Sequence, residues 1–279
     1  MPAELDMAPS RTADSSSPDA DDVRAFYDSF TSSTMIQYRL YGNARIDAAI
    51  ARVLPLLHEF DTVLEVGCGI GMVAEQIARN VQSGRVLGID ISPRNIWYAG
   101  QTVRMKNLSF AVVDAVTGLD SVPGMLGGPA DLVVMIDVVE HLPEDQRPCI
   151  LRRLRALSSR SAMLVLTYPS PQYQEFLRKN SPDDIQLIDN TIVLSTLQAE
   201  AEAAGYHLRH YSLEDVWQPN QYCHVVFQTD ETMDGERLPW VRRRGLPERL
   251  VRKAGRILFS RLIRRYRRWK YLDRVFRER

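Results

Sequence analysis

The stretch Glu65-Val66-Gly67-Cys68-Gly69-Ile70-Gly71 has the residue types to cradle a ligand. Its glycines permit a tight turn and let a bound group approach the backbone closely. A dinucleotide site calls for G-x-G-x-x-G, with a pyrophosphate at the following helix N-terminus. Here the spacing is G-x-G-x-G, Met72 follows the third glycine, and an acid, Glu65, stands two residues before the first. A turn that only packs a helix on a strand is the plain alternative. Two further acids decide more. Asp90 ends an apolar run (Val86-Leu87-Gly88-Ile89) 19 residues past the third glycine, with Ile91 after it. A carboxylate there can accept from ribose hydroxyls. Asp114 ends the run Phe110–Val113 and precedes Ala115, where an amino group on a base could donate to it. A lone acid of this kind is more often a turn residue or helix cap. Three acids after three successive strands describe a site for a group with a ribose, an amine and no phosphate.

A fourth cluster, Asp137-Val138-Val139-Glu140-His141, follows the strongest apolar run. His141 is a candidate general base, because an imidazole exchanges protons near neutral pH. Its plain reading is a polar residue fixing the loop ahead of Pro143. Two carboxylates and an imidazole within five residues also have the donor types of a divalent-metal site.

The elements that must position these residues alternate. Apolar runs read as strands over Thr62–Val66, Arg85–Ile89, Leu108–Val113, Ala130–Ile136, Ser161–Leu166, His207–Tyr211 and Cys223–Phe227. Helical spacing recurs over Ile46–Leu57, Met72–Val81, Arg94–Met105, Glu144–Leu157 and Leu194–Ala204, the last stopped by Gly205. Repeated βα units predict an α/β, Rossmann-like, doubly wound and mostly parallel sheet. Ligands of such sheets sit beyond the carboxyl ends of the strands, where all four clusters fall. Tyr168-Pro169-Ser170-Pro171 predicts a turn at the mouth of the site, and 172–190 a substrate-side loop. Trp217 and Tyr222 are candidates for the substrate entrance.

Composition is that of a globular protein: 45% hydrophobic and 25% charged. It excludes a collagen-like, disulfide-scaffold or wholly disordered chain. Cys68, Cys149 and Cys223 are odd in number and lack C-x-x-C spacing, which points to a reducing compartment and no structural zinc. Residues 1–22, rich in Ser, Pro, Ala and Asp, are expected to be disordered and carry no signal-peptide pattern. The catalytic domain is expected over 23–235 and a basic helical C-terminal extension over 236–279. A net charge of zero hides a strong split. Residues 237–279 hold 17 Lys and Arg against three acids, and the remainder holds 18 against 32. Within 246–279, apolar residues recur every three or four positions among arginines, so a basic amphipathic helix is expected. Its readings are an anionic membrane surface, packing on its own domain, self-association and, behind these, nucleic acid.

Taken together, ExGxGxG at 65–71, Asp90, Asp114-Ala115 and the strand leading into Asp137–Leu142 resemble the class I S-adenosylmethionine-dependent methyltransferases. The likeness covers about residues 60–170 well. It implies S-adenosylmethionine as cofactor, with Glu65, Gly67, Gly69 and Gly71 under the methionine part. Asp90 and Ile91 would lie at the ribose, Asp114 and Ala115 at the adenine, and Asp137 near the sulfonium. His141 and Asp137 are the catalytic candidates. The aromatic residues Phe26, Tyr27, Tyr38 and Tyr41 match the N-terminal helix that often forms a lid in this family. The acid-x-x-Glu-His pattern also looks like the metal motif of RNA 3′-end 2′-O-methyltransferases, but the downstream histidine that completes that site is missing from 185–190, so no metal ligands are expected. The implied reaction is methylation of an oxygen on a small molecule or glycan, in the cytoplasm or at the inner membrane surface. The alternatives are a non-catalytic binding module, an RNA 2′-O-methyltransferase and an NAD-dependent oxidoreductase.

Overall fold

A computed structural model describes residues 18–30, 34–59, 61–182, 185–229 and 260–273. Seven strands form one sheet: β1 (Thr62–Val66), β2 (Arg85–Asp90), β3 (Leu108–Val112), β4 (Ala130–Ile136), β5 (Ser158–Pro169), β6 (His207–Glu214) and β7 (Tyr222–Gln228), in the order β3-β2-β1-β4-β5-β7-β6. The first five are parallel to one another, while β7 runs antiparallel between β5 and β6. The direction of winding reverses between β1 and β4, and a crevice opens at such a point.

Alternating strand residues feed two cores. Val63, Val86, Leu132, Val134 and Val165 pack on one side against α3 (Ala44–Val53) and α4 (Met72–Ala78). Leu64, Leu87, Val133, Met135 and Leu164 pack on the other against α6 (Val122–Leu126), α7 (Arg147–Leu157) and α9 (Leu194–Ala203). Both faces are covered, which is why the strands read as continuous apolar runs rather than alternating ones. Among the described residues the remaining α-helices are α1 (Ala20–Phe30), α2 (Ile36–Tyr41), α5 (Pro93–Thr102), α8 (Pro171–Asn180) and α10 (Ser260–Arg268).

Several expectations need correction. Residues 20–22, expected within a disordered tail, are the first turn of α1, and the Asp19 carboxylate accepts from the backbone of Asp21 and Asp22 to cap it. The rest of that expectation, residues 1–17, lies outside the described residues. Helix α7 begins at Arg147 rather than Glu144, because Pro143–Gln146 closes a turn first. Pro169 ends β5 instead of turning. Ser170 then caps α8 through Tyr173 N, so a helix occupies much of the expected loop. The extension is helical over Ser260–Arg268 and widens into a π-type turn over Trp269–Asp273, and its remaining residues lie outside the described ones. Among the described residues no helix is long and apolar enough to cross a membrane.

Candidate active site

Strands β1, β2 and β4 deliver their chain ends to one cavity of about 430 Å³, and the turn at Val113–Thr117 after β3 completes its wall. That volume suits a ligand the size of a nucleoside joined to an amino acid. Glu65, Gly67, Gly69, Asp90, Ile91, Asp114, Ala115, Asp137 and His141 all line it. Gly71 does not. It adopts φ +74° at the start of α4, and a Cβ there would stand 2.6 Å from the Phe110 ring. Its lack of a side chain serves helix-on-sheet packing. Gly67 is the glycine on which close approach depends, since at φ +70° a Cβ would lie 2.3 Å from Val138 Cγ2. Val138 belongs to the turn after β4, so only glycine lets the two turns meet.

Asp90 is buried at the end of β2 and is held by three donors. Gly69 N donates to Oδ2 at 2.8 Å, and Ser92 N and Asn95 Nδ2 to Oδ1 at 2.9 and 3.0 Å. An ionised carboxylate offers about four acceptor sites. Roughly one therefore stays open to a ribose hydroxyl, a narrower role than accepting both. Burial raises its pKa, and these three hydrogen bonds oppose that rise. Asp114 closes a local turn at the cavity wall. Its carboxylate accepts from Val116 N and the Thr117 hydroxyl.

Glu65 is buried, and its Oε2 has no hydrogen-bond partner among the described residues. Burial pushes its carboxyl up to about 8, against a hydrogen bond from the Ala74 backbone. A buried carboxylate with one unpartnered oxygen, on a residue lining the cavity, fits a cationic amino group. Because the folded-state pKa lies above the unfolded value of ~4.3, the native state binds the extra proton. This contribution to stability is fully present below the unfolded pKa and is lost as pH rises to about 8. Its slope is at most on the order of 1.4 kcal/mol per pH unit. Glu65→Gln should therefore raise the melting temperature more at pH 8 than at pH 5. Equal shifts at the two pH values would show that Glu65 does not change its protonation on folding.

Asp137 takes φ +55°, an uncommon conformation for a residue with a side chain and one that functional sites concentrate. Its Oδ2 pairs with Arg45 Nε at 3.1 Å, and its Oδ1 is buried without a hydrogen-bond partner among the described residues. Burial raises its pKa and Arg45 lowers it. Arg45 thus supplies the positive charge beside Asp137. Among the described residues no group of three or more His, Cys, Asp or Glu is arranged to hold a metal. His141 Nδ1 lies 2.6 Å from the Ile188 carbonyl. A carbonyl only accepts, so Nδ1 carries the proton and Nε2 is left as the basic nitrogen. Burial lowers the pKa of this imidazole. The same loop is tied down by Asn190, whose backbone donates to Glu140 O and whose side chain donates to Leu142 O.

Helix α1 closes over this end. The Tyr27 ring meets His141 edge-on at 6.3 Å, and Asp28 accepts from the Ser92 hydroxyl and from Arg94 N at the start of α5. Tyr38 lines the cavity, while Tyr41 is exposed under Arg264. Tyr222 is buried beside Arg45, with Tyr173 and Trp217 at its rim. Neither Trp217 nor Tyr222 lines the cavity itself. Gln186 and Ile188 fall in the 172–190 segment expected on the substrate side, while Arg45, Asn95 and Met35 are among the contributors that the sequence reading missed. Each sits on a helix or loop without a recognisable local motif, and only the fold brings it in.

A methyltransferase-domain family model matches residues 38–211. No curated protein sequence matches significantly. Among solved structures, an S-adenosylmethionine-dependent methyltransferase from Anabaena variabilis superposes with TM-score 0.60 at 12% identity, over 78% of this chain and 99% of its own. Magnesium protoporphyrin IX methyltransferase from Synechocystis, with S-adenosylhomocysteine bound, gives 0.57 at 18% identity, over 76% and 100%. An S-adenosylmethionine-dependent methyltransferase from Mesorhizobium loti gives 0.53 at 14% identity, over 68% and 99%. Identities this low show a shared fold. The family match spans more than half of the chain, and with it the chain belongs to the class I S-adenosylmethionine-dependent methyltransferases.

Proposed function

We propose that the protein methylates a hydroxyl oxygen of a small molecule or glycan. The observation that carries this reading is the state of His141. Its Nδ1–H is committed to the Ile188 carbonyl, which leaves Nε2, 3.8 Å from Glu140 Oε1, as the basic nitrogen of a residue that lines the cavity in the turn after β4. A hydroxyl must lose its proton as it is alkylated, and a positioned base contributes typically ~10²–10⁴-fold.

The residues present fit the cofactor. Glu65 and the Gly67–Gly69 turn would hold its amino acid part, Asp90 its ribose, and Asp114 with Ala115 its base. When bound, it supplies a methyl group already activated for transfer. Everything else falls to this chain. Asp90 holds the glycine-rich turn in place through Gly69 N. Asp137 and Arg45 present a fixed, paired charge next to the reacting end. His141 Nε2 takes the proton of the acceptor hydroxyl. Helix α1, pinned through Asp28 and Tyr27, restricts water. Alignment of the reacting atoms at ~3–3.5 Å accounts for most of the catalysis in such a site.

The test is incubation with methyl-labelled S-adenosylmethionine and a panel of hydroxylated acceptors, including free sugars and glycosides, read by mass spectrometry. An O-methylated product that needs His141 supports the reading. Transfer to nitrogen or carbon alone would overturn the oxygen assignment. Cofactor binding with no transfer to any acceptor class would favour a non-catalytic binding module.

A further inference from the structure

The described part of the basic extension has two faces. Its inner face is built into the domain. Tyr271 is buried, its carbonyl accepts from the Tyr98 hydroxyl at 2.6 Å, and the Arg39 guanidinium lies over its ring at 4.6 Å. Lys270 Nζ stands 3.4 Å from Glu75, which pairs with buried Arg39 at 2.6 Å. Arg39 in turn donates to the Ile70 carbonyl of the glycine-rich turn. Through these contacts the extension clamps α2 beside the cofactor cavity.

The outer face has a different character. Arg265 and Arg268 are exposed. Among them Tyr266 and Trp269 are 58% and 53% exposed, with rings 6.1 Å apart. Tyrosine and tryptophan each join an apolar body to a polar tip, and such rings settle at the headgroup level of a bilayer. Arginines beside them gain from a negatively charged lipid surface. The whole 237–279 region carries the matching charge, 17 basic residues against three acids. It also interleaves those charges with Leu250, Ile257, Leu258 and Leu262 at helical spacing. A nucleic acid would use the arginines but gains nothing from the aliphatic stripe.

We propose that this outer face seats the protein on an anionic lipid bilayer, with Tyr266 and Trp269 among the headgroups and Arg265 and Arg268 against their negative charge. The membrane surface and the clamp on α2 are then opposite sides of one segment. Deleting the extension would disturb the cofactor site as well, so substitutions confined to the outer face give the clean test.

The experiment is flotation of the full chain with vesicles of phosphatidylglycerol and phosphatidylcholine, and with vesicles of phosphatidylcholine alone. Binding should be at least tenfold tighter to the anionic vesicles and should fall steeply with added salt, because surface charges are screened beyond ~10 Å at 0.1 M. A Tyr266→Ala/Trp269→Ala variant and an Arg265→Glu/Arg268→Glu variant should each lose about tenfold or more in vesicle affinity. Both should bind S-adenosylhomocysteine as the unaltered chain does. The proposal is overturned if the full chain ignores anionic vesicles, if it binds neutral ones equally, or if both variants bind vesicles normally. Loss of S-adenosylhomocysteine affinity in both variants would assign the outer face to the fold and also overturn it. Retention of a single-stranded RNA by a chain that ignores vesicles would replace the lipid with nucleic acid.

Discussion

His141→Ala is expected to lower turnover by roughly 10²–10⁴-fold while leaving cofactor affinity unchanged. The imidazole meets the chain through Ile188 O, the Tyr27 ring and, 3.8 Å from Nε2, the Glu140 carboxylate, and the groups assigned to the cofactor, Glu65, Asp90 and Asp114, lie on β1, on β2 and in the turn after β3. Removing it takes away a proton acceptor without touching the residues assigned to ribose and base. A chelator should have no effect, since Arg45 already pairs with Asp137. The pH dependence follows from burial, which lowers the imidazole pKa. The neutral form therefore persists to lower pH than that of a free imidazole. The acid limb of the turnover profile should lie below the ordinary value of ~6.5. Steady-state assays across pH, on the unaltered chain and the variant, check both statements. Full activity of the variant would remove His141 from the chemistry. Loss of activity with a chelator, restored by a divalent ion, would return the acid-x-x-Glu-His cluster to a metal role.

Asp90→Ala is expected to weaken cofactor binding by about 10–150-fold, the equivalent of losing ~1.5–3 kcal/mol of charge-assisted hydrogen bonding. Two losses combine. One acceptor for the ribose disappears, and Gly69 N loses the partner that fixes the glycine-rich turn. Asp90→Asn keeps one acceptor oxygen and should fall between the two. The domain should still fold, because the β2 register and the core around Leu87 and Ile89 do not depend on the carboxylate. Calorimetric titration gives the affinities, and circular dichroism with thermal melting checks the fold. Unchanged affinity in a folded alanine variant would take Asp90 out of the site.

The sheet was legible because its strands are buried on both faces. Thr62–Val66 and Ala130–Ile136 are mostly apolar runs bounded by Gly67 and by Asp137, and the observed strands have those limits. The short helices were hidden. Helix α6 contains Pro123 and Gly124, which read as breakers, and its capture depends on tertiary packing around Val122 and Leu126. Helix α8 follows a Pro-Ser-Pro stretch that carries turn chemistry and helix-start chemistry alike, and its Ser170 cap decides for the helix. In the site, acids at strand ends were readable because strand ends converge in a parallel sheet. Arg45 was not, since on α3 it looks like one more polar helix residue until Asp137 faces it. The basic extension was readable as amphipathic. Its division into an inner Tyr271 side and an outer Tyr266–Trp269 side depends on the widening turn after Arg268, which no periodicity announces.

The central claim is that the cavity at the ends of β1, β2 and β4 takes the methyl-donating cofactor through Glu65, Asp90 and Asp114. Calorimetric titration of the full chain with S-adenosylhomocysteine and, separately, with NAD tests it most directly. One S-adenosylhomocysteine should bind per chain, with affinity lost on Asp90→Ala, and NAD should give no saturable heat. Saturable NAD binding, or S-adenosylhomocysteine binding that Asp90→Ala leaves intact, would contradict it.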